Sequence, residues 1–336
     1  MNKFWYADEK VDTTPIISSR IRLARNLKKY PFMCRISQEQ STKMVEETTE
    51  RLKGRFDLID LAKMSEPEKR HLLERHIVSP EFLKIDMPKG LLVQPDERIS
   101  IMLNEEDHVR IQTIYPGEDM DGAWDVANKV DDLLEETLEY AFDKDYGYLT
   151  SCPTNTGTGL RASFMIHLPM LEKTGHIKNV LNTVTKFGVT LRGIHGEGTE
   201  PLGHIFQVSN QVTMGKPETE IIGALKNVTA QIMQSENELR RKFFKEKKLD
   251  MVDRIYRSYG TLKHARTMSG KEAMELLSSV RLGYMLKILD EPKPNLTIYQ
   301  IMMNIQRGSL IVAAKKDLTD LERDTARADY LRGVFS

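Results

Sequence analysis

Residues 152–163 read Cys-Pro-Thr-Asn-Thr-Gly-Thr-Gly-Leu-Arg-Ala-Ser. A thiol opens the stretch, a glycine-spaced, hydroxyl-rich loop follows, and Arg161 leads into an apolar run with strand character over 160–168. Glycines let backbone approach a ligand closely, and amides and hydroxyls can hold anions. A reactive cysteine needs positive surroundings to ionise. The stretch therefore reads as an anion-handling loop beside a nucleophilic or charge-bearing sulfur. A Gly/Thr loop also reads as an ordinary turn.

Working outward, 148–151 and 160–168 read as strands around that loop. Leu91–Gln94, Ile99–Leu103 and Val109–Ile114 are short and partly β-branched, and charged turns split them into an antiparallel meander. Residues 37–53, opened by Ser37, and 65–76, opened by Ser-Glu-Pro-Glu, carry helix start signals. Gly122–Phe142 repeats apolar residues at helical spacing, a core stripe. Ile177–Phe187 reads as helix, Val189–Gly193 and Ile205–Thr213 as strands, and Glu218–Lys245 as a long helix. Beyond residue 240 strand signals nearly vanish, and 249–264, 270–289 and 318–332 read as helices. The expected fold is α+β, an antiparallel sheet flanked by helices over 15–239, followed by an all-α domain over 240–336.

The 336 residues suffice for two domains. Forty-nine basic residues balance 49 acidic ones, which argues against a general nucleic-acid binder. No apolar run reaches transmembrane length, and the polar N-terminus does not read as a signal peptide. Two cysteines, Cys34 and Cys152, in no metal-ligand spacing imply a reducing compartment and no zinc site. Cytoplasm is the expected location, with no membrane partner.

Three further clusters carry possible chemistry. Ser18-Ser19-Arg20-Ile21-Arg22 places two guanidiniums on one face of a strand, a fork that suits phosphate oxygens; an exposed basic face is the alternative. Asn104-Glu105-Glu106-Asp107-His108-Val109-Arg110 offers a carboxylate for a cation beside an arginine for an anion, or else a solvated turn. Arg192-Gly193-Ile194-His195-Gly196-Glu197-Gly198 is a glycine-broken loop after a strand. The arginines at 20, 22, 110, 161 and 192 all lie on or beside expected strands, a cage fit for a triphosphate. No Gly-x-x-x-x-Gly-Lys-Ser/Thr sequence occurs, which excludes a P-loop.

The loop at 152–163, Asn-Glu-Glu-Asp-His-Val-Arg and Ser-Ser-Arg-Ile-Arg together resemble the guanidino (phosphagen) kinases, over about residues 15–239. The resemblance is closest to their bacterial protein-arginine branch. Small-molecule members carry a helical domain before the first arginine motif; here that motif begins at Ser18, so no such domain is expected. Arg323-Asp324-Thr325-Ala326-Arg327-Ala328 resembles the phosphoarginine-binding motif of that branch, and reads otherwise as a helix face with an i,i+3 pair.

The resemblance implies ATP and Mg²⁺ as cofactors, the metal arriving with the nucleotide and not on protein ligands. It implies nucleotide contacts from Ser18, Ser19, Arg20, Ile21, Arg22, His76, Arg110, Arg161, Ala162, Ser163, Phe164, Met165, Arg192, Gly193, Ile194, His195, Gly196 and Glu197. Glu106 would hold and deprotonate the substrate guanidinium, Glu197 would orient it, and Cys152 would sit against it as a thiolate. Arg323, Asp324 and Arg327 would bind phosphoarginine allosterically. Protein substrates with exposed arginines, an activator protein, a protease-chaperone machinery and a homodimer or larger assembly are implied as partners. Product arginines would mark proteins for degradation under stress. A kinase of small guanidino compounds and a silent phosphoarginine-binding module are the competing readings.

Overall fold

The computed structural model describes residues 4–193 and 202–336. Strand β1 (Ile16–Arg25) is followed by helix α1 (Gln38–Arg51), β2 (Asp57–Ile59), α2 (Glu66–Glu74) and α3 (Pro80–Lys84). The meander β3 (Gly90–Val93), β4 (Ile99–Leu103) and β5 (Val109–Pro116) leads to α4 (Met120–Glu135). A small hairpin, β6 (Phe142–Asp143) and β7 (Gly147–Tyr148), precedes β8 (Leu160–His167), α5 (Pro169–Lys173), α6 (Ile177–Thr185), β9 (Val189–Gly193) and β10 (Ile205–Asn210). Helices α7 (Glu218–Glu246), α8 (Lys248–His264), α9 (Gly270–Met285), α10 (Ile298–Asn304), α11 (Arg307–Ala314) and α12 (Asp320–Phe335) complete the chain.

Eight strands form one antiparallel sheet in the order β2-β3-β4-β5-β1-β8-β10-β9. Ser37 and Ser65 close capping boxes with Gln40 and Glu68, which explains why α1 and α2 start where their sequences signal. One sheet face, with Ile21, Leu23, Ile111, Ala162 and Phe164, packs on α4 and α7 in the larger core. On the other face, Ile114, Met165 and Ile205 join a second core built from the C-terminal helices and Trp5, Tyr6 and Val11. The helical region therefore lies on the sheet and shares its packing. α7 runs unbroken through residue 240, so the change of character falls inside one helix.

Three expectations are corrected. The helix expected to reach Phe142 ends at Glu135, because the chain turns back to pair with the exit of β1: Lys28 N donates to Glu139 O and Ala141 N to Asn26 O. The strand expected over 148–151 is two residues long, because Ser151 N is drawn instead to the Asp107 carboxylate at 2.6 Å. Helices α10 and α11 lie between the expected helices 270–289 and 318–332, where none was expected.

Arg25 alternates to the α4 side of β1 and is buried against Asp131, its Nη2 2.6 Å from Oδ2. Its other nitrogen reaches Ala24 O and Thr158 O, and its plane lies 3.6 Å from the Tyr148 ring centroid. Losing one member of a buried pair strands the other charge. Arg25→Met is expected to cost about 3–5 kcal/mol in a urea unfolding titration, and a loss under about 1 kcal/mol would contradict this role.

Candidate functional site

Strand alternation and register gather the arginines. Arg20 and Arg22 are two apart on β1 and share a face. Arg22 pairs across to Arg161 on one side and Gln112 on the other, and Ala24 pairs to Arg110. Gln207 of β10 pairs to Met165 on β8 and to Arg192 on β9. Directly paired residues point the same way, so all five guanidiniums stand on one sheet face. That face opens into a cleft of about 610 Å³ lined by Arg20, Arg22, Arg161, Arg192, His76 and Gln112, among others.

Hydroxyls and an amide are among the partners of these charges. Arg20 donates to Ser163 Oγ at 3.3 Å and to Gln207 Oε1 at 2.5 Å, and Arg161 donates to Ser209 Oγ at 3.4 Å. Arg22 Nε has no hydrogen-bond partner among the described residues. Burial, then the Arg110 and Arg161 charges, lower Arg20 to about 9. Burial, then Arg20, Arg110 and Arg161, lower Arg22 as well. A polyanion would relieve this repulsion and satisfy the donors, and guanidiniums match phosphate oxygens in geometry.

Arg110 forms an ion pair with the buried Glu105, not with Glu106. Glu105 also accepts from Ser79 Oγ at 2.6 Å and from Glu106 N at 2.7 Å. Glu106 is the exposed acid of the loop. Desolvation, then the Asp107 and Glu105 charges, raise its pKa; Arg110 and a hydrogen bond with Cys152 oppose that rise. The two side chains predicted to face the guanidinium are thus electrostatic neighbours, and Cys152 Sγ lies 3.0 Å from Thr154 Oγ1. Asp107 joins the two loops: its Oδ1 accepts from Ser151 N and from Asn26 Nδ2 at 2.7 Å. His108 is fixed as the neutral tautomer, with Leu27 N donating to Nδ1 and Nε2 facing Pro31 O.

Hydroxyls that flank the Cys152 loop tie it down. Thr150 Oγ1 donates to Cys152 O, and Thr213 Oγ1 reaches both Thr154 O and Thr156 O. Gly157 has φ +113° and Gly159 φ +64°; a side chain at either would meet Thr213 O or Ala24 O within 2.5 Å. Both glycines serve close backbone approach, and the loop's work is to hold Cys152 beside Glu106.

Placement sorts the remaining residues. His76, in the left-handed conformation at φ +61°, lines the cleft, with Nε2 3.0 Å from Tyr299 Oη. Gly193 lines it as well, and Ser163 reaches it through Arg20. The side chains of Ser19, Ile21, Ala162 and Phe164, residues expected at the nucleotide, stand elsewhere. Alternation turns them to the opposite face, where Ser19 bonds Gly117 O and the others join the larger core. Ser18 is buried in the same strand, and Met165 lies under Tyr299 Oη at 3.1 Å. Ile194, His195, Gly196 and Glu197 lie outside the described residues. Sequence reading missed Asn26, Asp107, Glu105 and Gln207. For Asp107 the signal was present, since the third acid of a short turn is well placed to cap a neighbouring loop.

On α12, Arg323 donates to Leu318 O and pairs with Asp320, while Asp324 pairs with Arg327 at 2.6 Å. Arg327 is buried and donates to Ile305 O and Met268 O. Most of its donors hold the helices together; Nη2, beside Gly270, is uncommitted among the described residues.

Comparison with known proteins agrees with this geometry. Residues 37–239 match the family model "ATP:guanido phosphotransferase, C-terminal catalytic domain", and 248–336 match "Protein-arginine kinase McsB C-terminal domain". A protein-arginine kinase of Caldanaerobacter subterraneus is 44% identical over 95% of this chain and 96% of its own. One from Pelotomaculum thermopropionicum is 43% identical over 99% and 95%. Among solved structures, lombricine kinase superposes with a TM-score of 0.61 at 22% identity, over 72% of this chain and 69% of its own. The duplicated taurocyamine kinase of Schistosoma mansoni gives 0.62 at 23%, over 70% of this chain and 35% of its own. Both share the fold.

Crowded guanidiniums predict an unusual trade. Arg22→Gln is expected to raise the melting temperature of the ligand-free protein by roughly 2 °C, and to shrink the further rise caused by inorganic triphosphate. Thermal melts with and without the anion decide it. A variant that melts lower alone and is stabilised as strongly as wild type would contradict the cage.

Proposed function

The chain belongs to the ATP:guanido phosphotransferase family, in its protein-arginine kinase branch, and we propose that the arginine face, Glu106 and Cys152 carry its phosphoryl transfer from ATP to arginine side chains of proteins. The observation that carries this assignment is the strand register, which sets five guanidiniums on one face and ends that face at Arg110, beside the Glu106–Cys152 contact.

A guanidinium holds its protons above pH 12 and is a poor nucleophile. Substrate arginine binds as a cation against Glu106 and Cys152, which face the γ-phosphate end of the cage. As a guanidino nitrogen attacks phosphorus, its proton passes to Glu106. The bond from phosphorus to the β,γ-bridging oxygen breaks, and ADP leaves with the electron pair. The loop bonds of Asp107 hold Glu106 in line, so alignment is set before the substrate arrives. The arginines balance charge on the phosphoryl oxygens, where fixed donors contribute most.

The described residues hold no group of three His, Cys, Asp or Glu able to bind a metal. The cleft is mostly cationic, with Glu81 an exposed carboxylate on its wall. Such a donor set would suit Mg²⁺ that arrives on the phosphates, with Glu81 available to help hold it. Bound there, the ion would neutralise phosphate charge. Glu197 is assigned the second guanidinium contact. Arg323 and Arg327 Nη2 are assigned to phosphoarginine, with Gly270 leaving room for it.

Among the described residues no helix is long and apolar enough to cross a membrane. Family membership supports a cytoplasmic enzyme that works with an activator protein and a protease-chaperone machinery. It supports a homodimer or larger assembly, and a product that marks proteins for degradation under stress.

Glu106→Gln is expected to lower kcat by at least about a hundredfold while ATP affinity stays within about twofold; unchanged turnover removes Glu106 from the role. Because the base must be ionised, activity falls as pH drops through its raised pKa. Cys152→Ala removes the thiol, a neighbour that lowers that pKa, so the acid limb of the kcat/KM profile should move to higher pH. A shift to lower pH, or none, contradicts the contact. Arg323→Ala should abolish phosphoarginine binding without unfolding the protein, as read by calorimetry; unaltered binding places the ligand elsewhere.

A further inference from the structure

Exposed apolar side chains are unevenly spread over this surface. Of the ten large ones among the described residues, six are Phe142, Tyr146, Leu181, Phe187, Val212 and Met214. They sit on three segments that bracket the Cys152 loop: the β6–β7 hairpin, α6 with the turn after it, and the stretch that leaves β10. Phe142 and Tyr146 are each 59% exposed, and Phe187 is 61% exposed. A single exposed apolar residue is ordinary, whereas a group of them around one feature marks an interaction surface.

The loop itself joins these segments. Tyr148 N donates to Gly157 O at 2.8 Å, Gly157 N returns a bond to Tyr148 O at 3.2 Å, and the Phe142 ring meets the Tyr148 ring edge-on at 5.2 Å. On the other side of Gly157 the backbone of Thr213 and Met214 passes so close that a side chain on the glycine would collide with it. Thr213 turns inward to Thr154 O and Thr156 O, while its neighbours Val212 and Met214 stay on the surface, 44% and 45% exposed. Val212 in turn lies against Gly188, next to Phe187. Carboxylates border the same surface. Glu135 and Glu218 are electrostatic neighbours of Tyr148, and Glu135, Glu136 and Asp145 are exposed around the hairpin, where Lys144 is the cation.

A small guanidino compound has nothing to lay on such a surface, and a polypeptide that carries the guanidinium does. An unfolded segment exposes its own apolar side chains and can follow the contour of a large surface. We propose that Phe142, Tyr146, Val212 and Met214, extended by Leu181 and Phe187, form a docking collar for an unfolded segment of the protein substrate. Apolar side chains on either side of the target arginine rest on the collar while the arginine enters toward Cys152 and Glu106. The carboxylates beside the hairpin favour segments that carry further basic residues. Preference for arginines in unfolded, apolar-flanked sequence is then built into the surface around the thiol. The inference rests on the reading of Glu106 and Cys152 as the guanidinium end of the site.

Steady-state phosphorylation by the full chain with Mg-ATP tests it on two peptides of equal length. Each holds one arginine, flanked in one by leucine and phenylalanine and in the other by serine and glycine. Phe142→Ser and Met214→Ser, singly and together, are compared with Leu58→Ser, which alters a residue 56% exposed on β2, at the far edge of the sheet. The double variant should raise KM for the apolar-flanked peptide about tenfold, while kcat, KM for ATP and KM for the serine-flanked peptide stay within about twofold. Leu58→Ser should change none of them. A double variant that leaves KM unchanged, or raises it alike for both peptides, overturns the collar. Unchanged KM with a smaller sedimentation coefficient assigns the surface to contacts between copies of this chain. A wild-type chain that phosphorylates neither peptide overturns the reading beneath it.

Discussion

Like charges crowded on one sheet face are the constraint on which the rest depends. Arg20, Arg22, Arg110, Arg161 and Arg192 would separate in a flexible loop; paired strands deny them that freedom. The antiparallel register stores the repulsion, and the core on the far face, with Ile21, Leu23, Ala162 and Phe164, keeps the strands from slipping. A one-residue slip of β1 would turn Arg20 and Arg22 into that core. Precision in the apolar packing is therefore what holds the guanidiniums together on the face proposed for the phosphates.

The acid end follows a different logic. Three consecutive acids share a short turn, and each finds a separate environment. Glu105 neutralises Arg110, Asp107 accepts backbone and amide donors from the Cys152 side, and Glu106 alone is left exposed, against the thiol. Two acids are consumed in placing the third. The glycines of the Cys152 loop belong to this scaffold, since they let backbone pass where any side chain would collide.

Much of this was legible in the sequence, because local physics leaves local marks. Capping residues announced α1 and α2, alternation placed Arg20 and Arg22 together, and charged turns divided the meander. What was not legible is long-range. That Arg161 stands opposite Arg22 depends on register between distant strands. That Glu105 and not Glu106 pairs Arg110 depends on how one turn folds. Helix α10 is only seven residues long, too short for its periodicity to stand out behind Pro292 and Pro294, yet it walls the cleft. The α12 motif shows the reverse case: Arg327 resembles a ligand-binding residue in sequence, and in the fold most of its donors fasten helices.

A protein-arginine kinase phosphorylates arginine within proteins and not the free amino acid. The direct measurement supplies the chain with Mg-ATP and, in parallel, free arginine or an arginine-rich unfolded protein, and follows acid-labile phosphate. Label on the protein and none on the amino acid is the predicted result. Label on free arginine alone would contradict the account.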